Sequence, residues 1–178
     1  MKVFIIAAMS VDGFIAQKPD QPSVNWTSPE DKKHYVEKTK RAGVMVMGRK
    51  TFDTIGFPLK DRLNIIYTRK SKEQIAQQYD LNSEQLSHNR LRVIAQKPIN
   101  LVRQLEEEGF DQLAVCGGAS IYRQFLEAGV VDQLLLTIEP VLFGQGVSLF
   151  DQPLEEKLNL VSTQKINQQG TLLLTYES

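Results

Sequence analysis

A chain of 178 residues falls within the length of one domain and is long enough to enclose a substantial core. Its 21 Lys and Arg balance 21 Asp and Glu, so bulk electrostatics argue for neither a nucleic-acid nor a membrane partner. A lone cysteine, Cys116, excludes a disulfide framework, and two histidines, His34 and His88, leave no His/Cys metal spacing, so no metal is expected.

The first apolar run, 3–9, is too short for a signal peptide and leads into Ser10-Val11-Asp12-Gly13, not into a small-residue cleavage site. It reads as a strand buried on both faces, and the default compartment is a reducing cytoplasm. Asp12-Gly13 makes a turn, and residues 17–25, with Pro19 and Pro22, an irregular loop. A helix capped by Ser28, with Pro29 in its first position, runs to about Ala42 and stops at Gly43. Val44 to Met47 is the next strand, opening at Gly48 into a short helix through Lys50-Thr51-Phe52. Leu63 to Thr68 is a third strand. Residues 70–90 are polar and show no clean period. Arg92 to Ala95 reads as a strand, and Pro98 to Glu108 as an amphipathic helix stopped by Gly109. Gln112 to Cys116 is a strand broken by Gly117-Gly118, with a helix from Ser120 to Leu126. Gln133 to Phe143 reads as one long strand. Leu158 to Gln168 and Thr171 to Glu177 read as a terminal hairpin around Gly170. The alternation predicts an α/β sheet in a single domain over 1–178.

The chemistry-bearing segments lack nucleophile and metal constellations, a pattern that suits hydride transfer, which needs neither. Gly117-Gly118-Ala119-Ser120 sits between a strand and a helix, where backbone N–H groups approach phosphate or simply make a tight turn. Gly48-Arg49-Lys50-Thr51 places two cations at a helix start against the helix dipole, which an intervening anion would explain; a solvated basic rim is the other reading. Thr68-Arg69 adds a further positive site. Asp31, three residues after Ser28, is either the acid of a capping box or a carboxyl at the rim of a dry pocket; spacing alone favours the cap. Arg62 is either a carboxylate clamp or a surface arginine in a turn.

Together these segments resemble dihydrofolate reductase over nearly the whole chain. Ile6-Ala7-Ala8 with Asp12-Gly13-Phe14-Ile15 is similar to that family's first strand and active-site loop. The resemblance implies that Ala8 touches both substrate and nicotinamide, and that Ile15 contacts the nicotinamide. Trp26-Thr27-Ser28-Pro29-Glu30-Asp31 resembles the family's Trp-x-x-Pro-x-Asp/Glu stretch and implies catalytic roles for Asp31 and Trp26, with Thr137 bonding the acid. Met47-Gly48-Arg49-Lys50-Thr51-Phe52 matches a signature whose residues hold NADPH phosphates, and Thr68-Arg69 falls where the 2′-phosphate is read. Cys116-Gly117-Gly118-Ala119-Ser120-Ile121-Tyr122 resembles the family's cofactor-side motif with its cis Gly-Gly bond. Cys116 itself reads as packing, and His34 as a rim residue. Ile55, Leu59 and Arg62 fall in the segment whose arginine binds the folate carboxylate, with Lys32 and Tyr35 also on the substrate side.

The implied fold is a three-layer dihydrofolate reductase-like one: a mostly parallel central sheet, helices on both faces and a C-terminal antiparallel hairpin. Ser10 to Ala16 and Val131 to Phe150 look more like a sister group, the riboflavin-pathway reductases, which reduce a ribosylamino-pyrimidine phosphate with NADPH on the same fold. That group does not usually carry an acid at the Asp31 position, nor the Met-Gly-Arg-Lys-Thr and Arg62 segments in this form. The leading expectation is therefore NADPH-dependent reduction of 7,8-dihydrofolate to tetrahydrofolate, with Asp31 supporting protonation of the pterin. The alternative is reduction of the ribosylamino-pyrimidine 5′-phosphate, with Lys32 on the sugar phosphate and Asp31 a helix cap. A third reading is a module that binds NADPH without chemistry. The expected partner is a small-molecule substrate, in a monomer or a homodimer.

Overall fold

Strand period and helix stripe meet in two separate cores. On β1 (Lys2–Ser10), Val3, Ile5 and Ala7 face one side, while Phe4 and Ile6 face the other. The same alternation continues through β3 (Val44–Gly48), β4 (Leu63–Tyr67) and β6 (Gln112–Val115). Leu101 and Leu105 of α4 (Pro98–Glu107), with Ile121, Phe125 and Leu126 of α5 (Ala119–Glu127), cover the first face. Ala42 of α1 (Pro29–Ala42), Phe52 of α2 (Arg49–Ile55) and Ile75 of α3 (Lys72–Gln78) cover the second. A strand covered on both faces reads as a continuous apolar run, which is why 3–9 does not alternate in hydrophobicity.

The computed structural model describes residues 1–19, 21–150 and 152–178. Among these, the main sheet has eight strands in the order β5-β4-β3-β6-β1-β7-β10-β9. Here β5 is Leu91–Ile94, β7 Gln133–Glu139, β9 Asn159–Lys165 and β10 Leu172–Glu177. From β5 to β7 all neighbours are parallel; β10 runs antiparallel to β7, and β9 antiparallel to β10. This is the expected α/β architecture, with helices on both faces and a C-terminal hairpin.

Three segments depart from the pattern expected of them. Within the unread stretch 70–90, α3 forms behind a full capping box of Ser71 and Gln74, with Ile75 as its one fully buried side chain. A seven-residue helix anchored by a single apolar residue has no stripe to read. The strand expected to reach Phe143 ends at Glu139, because Pro140 offers no N–H to the ladder and Val141 N–H turns back to the Glu139 carbonyl at 2.7 Å. A second, two-stranded sheet pairs β2 (Phe14–Ala16) with β8 (Val147–Ser148), both too short to signal themselves.

Candidate active site

The chain leaves β1, builds outward from β3 to β5, returns to β6 between β3 and β1, and crosses to β7 on the far side of β1. Such a reversal opens a crevice at the carboxyl ends of the strands, where open α/β sheets bind ligands. Ala8 of β1 and Thr137 of β7 are register partners at this edge; Gly48 closes β3, and Cys116-Gly117 follows β6.

Asp31 enters from the start of α1. Ser28 caps that helix, accepting from Asp31 N–H at 3.2 Å, and Pro29 pre-sets its first turn. In a capping box the carboxyl of the third helical residue would reach back to the N–H of the cap. Here that N–H goes elsewhere: Ser28 N–H donates to Glu139 Oε1 of β7 at 2.7 Å. The capping-box reading of Asp31 is thereby corrected. Its carboxyl, 8% exposed, instead takes hydrogen bonds from the hydroxyls of Thr137 and Thr27. Burial pushes it above the usual carboxylate value; the two hydroxyls pull it back, Glu139's charge adds to the rise and Lys32 opposes it. The result is a carboxyl disposed to keep its proton. Trp26, two residues before the cap, packs edge-on to Phe143 at 5.1 Å, and its buried indole Nε1 has no hydrogen-bond partner among the described residues.

Opposite lie the two strand-to-helix turns. Gly48 N–H donates to the Gly117 carbonyl at 2.7 Å, and Cys116 N–H to the Val46 carbonyl at 2.8 Å, so the turns are held together. The Gly117–Gly118 peptide is cis. A Cβ on Gly117, whose φ is +107°, would lie 2.8 Å from the Tyr122 hydroxyl. A Cβ on Gly48 would lie 3.0 Å from Ile121 Cγ1, and one on Gly118 would lie 3.4 Å from Thr51 Oγ1. Neither α2 nor α5 has a side-chain cap, so their first amides face the crevice edge without a protein acceptor from the cap residue.

The side chains of Ala119, Ile121 and Tyr122 are buried, Tyr122 OH bonding the Ile6 carbonyl at 3.0 Å. Only their backbone is left to meet a ligand, whereas the Ser120 side chain is exposed. Arg49 is paired with Asp53 one turn along its own helix at 2.5 Å, which relieves the charge conflict without an anion. Lys50 is exposed and has no ion pair among the described residues. A groove of about 270 Å³ beside them is lined by Pro19, Arg49, Lys50, Asp53 and Thr54. Thr68 Oγ1 accepts from Lys70 N–H at 3.2 Å at the end of β4, and Arg69 beside it is exposed. Ile15, on β2, packs half-buried against the first core.

On the remaining side, Lys32 is half-buried next to Asp31. Tyr35, one helical turn on, shares a hydrogen bond with the Cys116 thiol; burial drives both groups up, Cys116 to about 12. A protonated buried thiol is a packing group, as its apolar setting suggests. Ile55 and Leu59 pack on the second core, and Leu59 is clamped by Asn64, which accepts from its N–H and donates to its carbonyl, both at 2.9 Å. Arg62 is not the surface arginine of a turn. It is 7% exposed, its Nε donating to the Lys60 carbonyl at 3.0 Å and its Nη1 to Thr39 of α1.

Two features of the site were not read from the sequence. One is Glu139, whose partners are far along the chain. The other is the staple made by Asp12: its carboxylate accepts from Ser10 Oγ at 2.6 Å, from Gly144 N–H at 2.7 Å and from Phe143 N–H at 3.2 Å. These bonds, led by that to Ser10, hold Asp12 below its usual value and join the loop after β1 to the loop carrying Phe143. Among the described residues no three His, Cys, Asp or Glu converge as a metal site, and no helix is long and apolar enough to cross a membrane.

The chain matches the RibD C-terminal domain family over residues 1–172. Its fold is similar to that of a Shewanella sp. PV-4 protein assigned to riboflavin biosynthesis (TM-score 0.77, 21% identity, 99% of this chain and 98% of that one). It is also similar to a pyrimidine reductase-like protein of Corynebacterium diphtheriae (TM-score 0.74, 18% identity, 99% and 91%). Among curated proteins, a dihydrofolate reductase of Buchnera aphidicola is 30% identical over 81% of this chain and 75% of its own length. The folate enzymes are thus distant kin within a shared superfamily, and the family match backs the alternative expectation better than the leading one. The chain belongs to the RibD C-terminal domain family, on the dihydrofolate reductase-like fold.

Proposed function

We propose that this chain is an NADPH-dependent reductase of a small nitrogen heterocycle, with a ribosylamino-pyrimidine phosphate as its first substrate candidate. The observation that carries the reading is a buried carboxyl, Asp31, turned away from its own helix cap toward Thr27 and Thr137 beside the switch-point crevice. Family membership and the riboflavin assignment of the Shewanella relative support the pyrimidine as substrate. Lys32, half-buried beside Asp31, supplies a cation for the sugar phosphate.

The residues present fit NADPH. Gly117 leaves no room for a side chain and Gly48 little, so the backbone at both turns stays bare, and the uncapped amides at Arg49, Ala119 and Ser120 suit a pyrophosphate. Thr51 and Lys50 would add phosphate contacts, with Thr68 and Arg69 on the 2′-phosphate. NADPH, when bound, supplies the hydride. Asp31 holds a proton at its carboxyl, and Thr27 and Thr137 fix the oxygen from which that proton moves to a substrate heteroatom. Trp26 offers its unpartnered indole N–H to a substrate acceptor. Ala8, the register partner of Thr137 at the end of β1, orients the ring.

One feature favours dihydrofolate as a second reading: Arg62 is already oriented by Thr39 and Lys60, as a carboxylate clamp requires. The test is NADPH consumption with the ribosylamino-pyrimidine phosphate and with dihydrofolate side by side. Faster turnover of the pyrimidine is expected. Turnover of dihydrofolate alone would establish the second reading, and NADPH binding with no turnover of either would overturn both.

A further inference from the structure

We propose that Glu139 is a positioning residue for Asp31: by accepting the Ser28 amide from β7, it fills the acceptor place of the capping box and frees the Asp31 carboxyl for the crevice. This rests on the reductase reading of Asp31 and adds to it the residue that sets its direction and its proton affinity.

The geometry is over-determined. Glu139 is 3% exposed and both its oxygens are committed, Oε1 to Ser28 N–H and Oε2 to the Thr171 hydroxyl, each at 2.7 Å. Thr171 is itself fixed by Asn167, whose Nδ2 donates to the Thr171 hydroxyl at 2.8 Å. Asn167 Oδ1 accepts from Gly170 and Thr171 N–H, both at 3.0 Å. The turn between β9 and β10 therefore locks the carboxylate that locks the start of α1. Thr137 and Glu139 lie two apart on β7, hence on one face, so one strand end provides both the hydroxyl for Asp31 and the acceptor for its helix cap.

With both oxygens turned to donors, the charge of Glu139 opposes ionisation of Asp31. The other groups around Asp31 are Glu30, Lys32, His34 and Tyr35 on α1, Tyr122 on α5, and the hydroxyls of Thr27 and Thr137. Of these, Lys32 works against the rise, and Glu30 is turned to Asn167 at 3.3 Å.

Glu139→Gln keeps the shape and, with its oxygen on Ser28 N–H, the bond to the helix cap; its NH₂ meets Thr171 with the donor reversed, and the charge is removed. The titration midpoint of Asp31, followed by carboxyl-carbon NMR on the free protein, should fall by about 1 pH unit. The upper pH limb of kcat should fall with it, while KM for NADPH stays put. Glu139→Ala leaves the Ser28 amide unfilled, draws Asp31 back as its cap and should lower kcat by about tenfold or more. The NMR titration needs no substrate, so it separates the two ideas. Absent turnover with either heterocycle overturns the reductase reading, whereas an Asp31 midpoint unmoved in Glu139→Gln overturns the role of Glu139. A loss of melting temperature in both variants with Asp31 titration and pH profile unchanged would likewise make Glu139 a purely structural tie.

Discussion

At the scale of single residues, the decisive contrast is between two carboxyls that meet the start of one helix. Asp31 is buried with hydroxyl partners and lifted above its ordinary value of 3.8, so its ionised form is disfavoured in the folded state. Above pH 3.8 the unfolded chain gives up that proton first and binds fewer protons than the native one. Stability attributable to this group therefore falls as pH rises from that value through the folded value, and is lost once both are passed. Asp31→Asn removes the penalty: its melting temperature at neutral pH should exceed that of the wild type, and that part of the pH slope should vanish. Turnover should drop by about 10²- to 10⁴-fold with NADPH affinity unchanged. A variant that melts no higher, or that keeps full activity, would show that Asp31 is neither strained nor catalytic. Lys32→Ala makes a sharper cut between substrates. Expected is a raised KM for the phosphate-bearing pyrimidine and little change for dihydrofolate; equal effects on both would remove Lys32 from the sugar-phosphate role.

At the scale of elements, the start of α1 shows how much local chemistry a sequence can carry. Ser28, Pro29 and Gly43 mark both ends of the helix, and the structure places the ends there. Ser28→Ala should cost about 1 kcal/mol of stability by equilibrium denaturation. Because the Ser28 backbone amide remains in place for Glu139, the loss should stay near the value of an ordinary cap; a much larger one would mean the side chain also carries Asp31. Runs such as Val44–Gly48, buried on both faces, were equally plain, since continuous apolar residues between turn signals have few alternatives. What escaped notice needed a partner distant in the chain. β2 and β8 are of three and two residues and exist because each has the other. Glu139 reads as an interior residue of a strand expected to run to Phe143; its meaning arises only when β7 ends there and meets a helix cap 111 positions away. Asp12 reads as half of a turn, and its hold on Gly144 spans 132 positions. The glycine turns after β3 and β6 were legible as turns because close backbone approach restricts residue type locally. Arg49 shows the limit: its pairing with Asp53, one turn along the helix, needed the helix to be drawn.

At the scale of the whole molecule, the crevice is the seam between two β-α units that enter the sheet at different times. β3 with α2 and β6 with α5 are joined at their turns by the Gly48 amide on the Gly117 carbonyl and the Cys116 amide on the Val46 carbonyl. A ligand that bridges both turns binds the folded chain alone and must stabilise it by mass action, about 2.7 kcal/mol at a hundred times its dissociation constant. For a chain of this length, about 2–4 °C per kcal/mol translates this into a rise of about 5–10 °C in melting temperature. NADPH should produce that shift. NADH at equal concentration should produce less, because the exposed Arg69 and its neighbour Thr68 would then have no 2′-phosphate to meet. Gly117→Ala places a Cβ against the Tyr122 hydroxyl at a backbone φ of +107°, where a side chain is strained in any case. That variant should melt lower by itself and gain little from NADPH. Equal shifts from NADH and NADPH would take the 2′-phosphate away from Thr68 and Arg69. A full NADPH shift retained in Gly117→Ala would move the nucleotide out of the seam altogether.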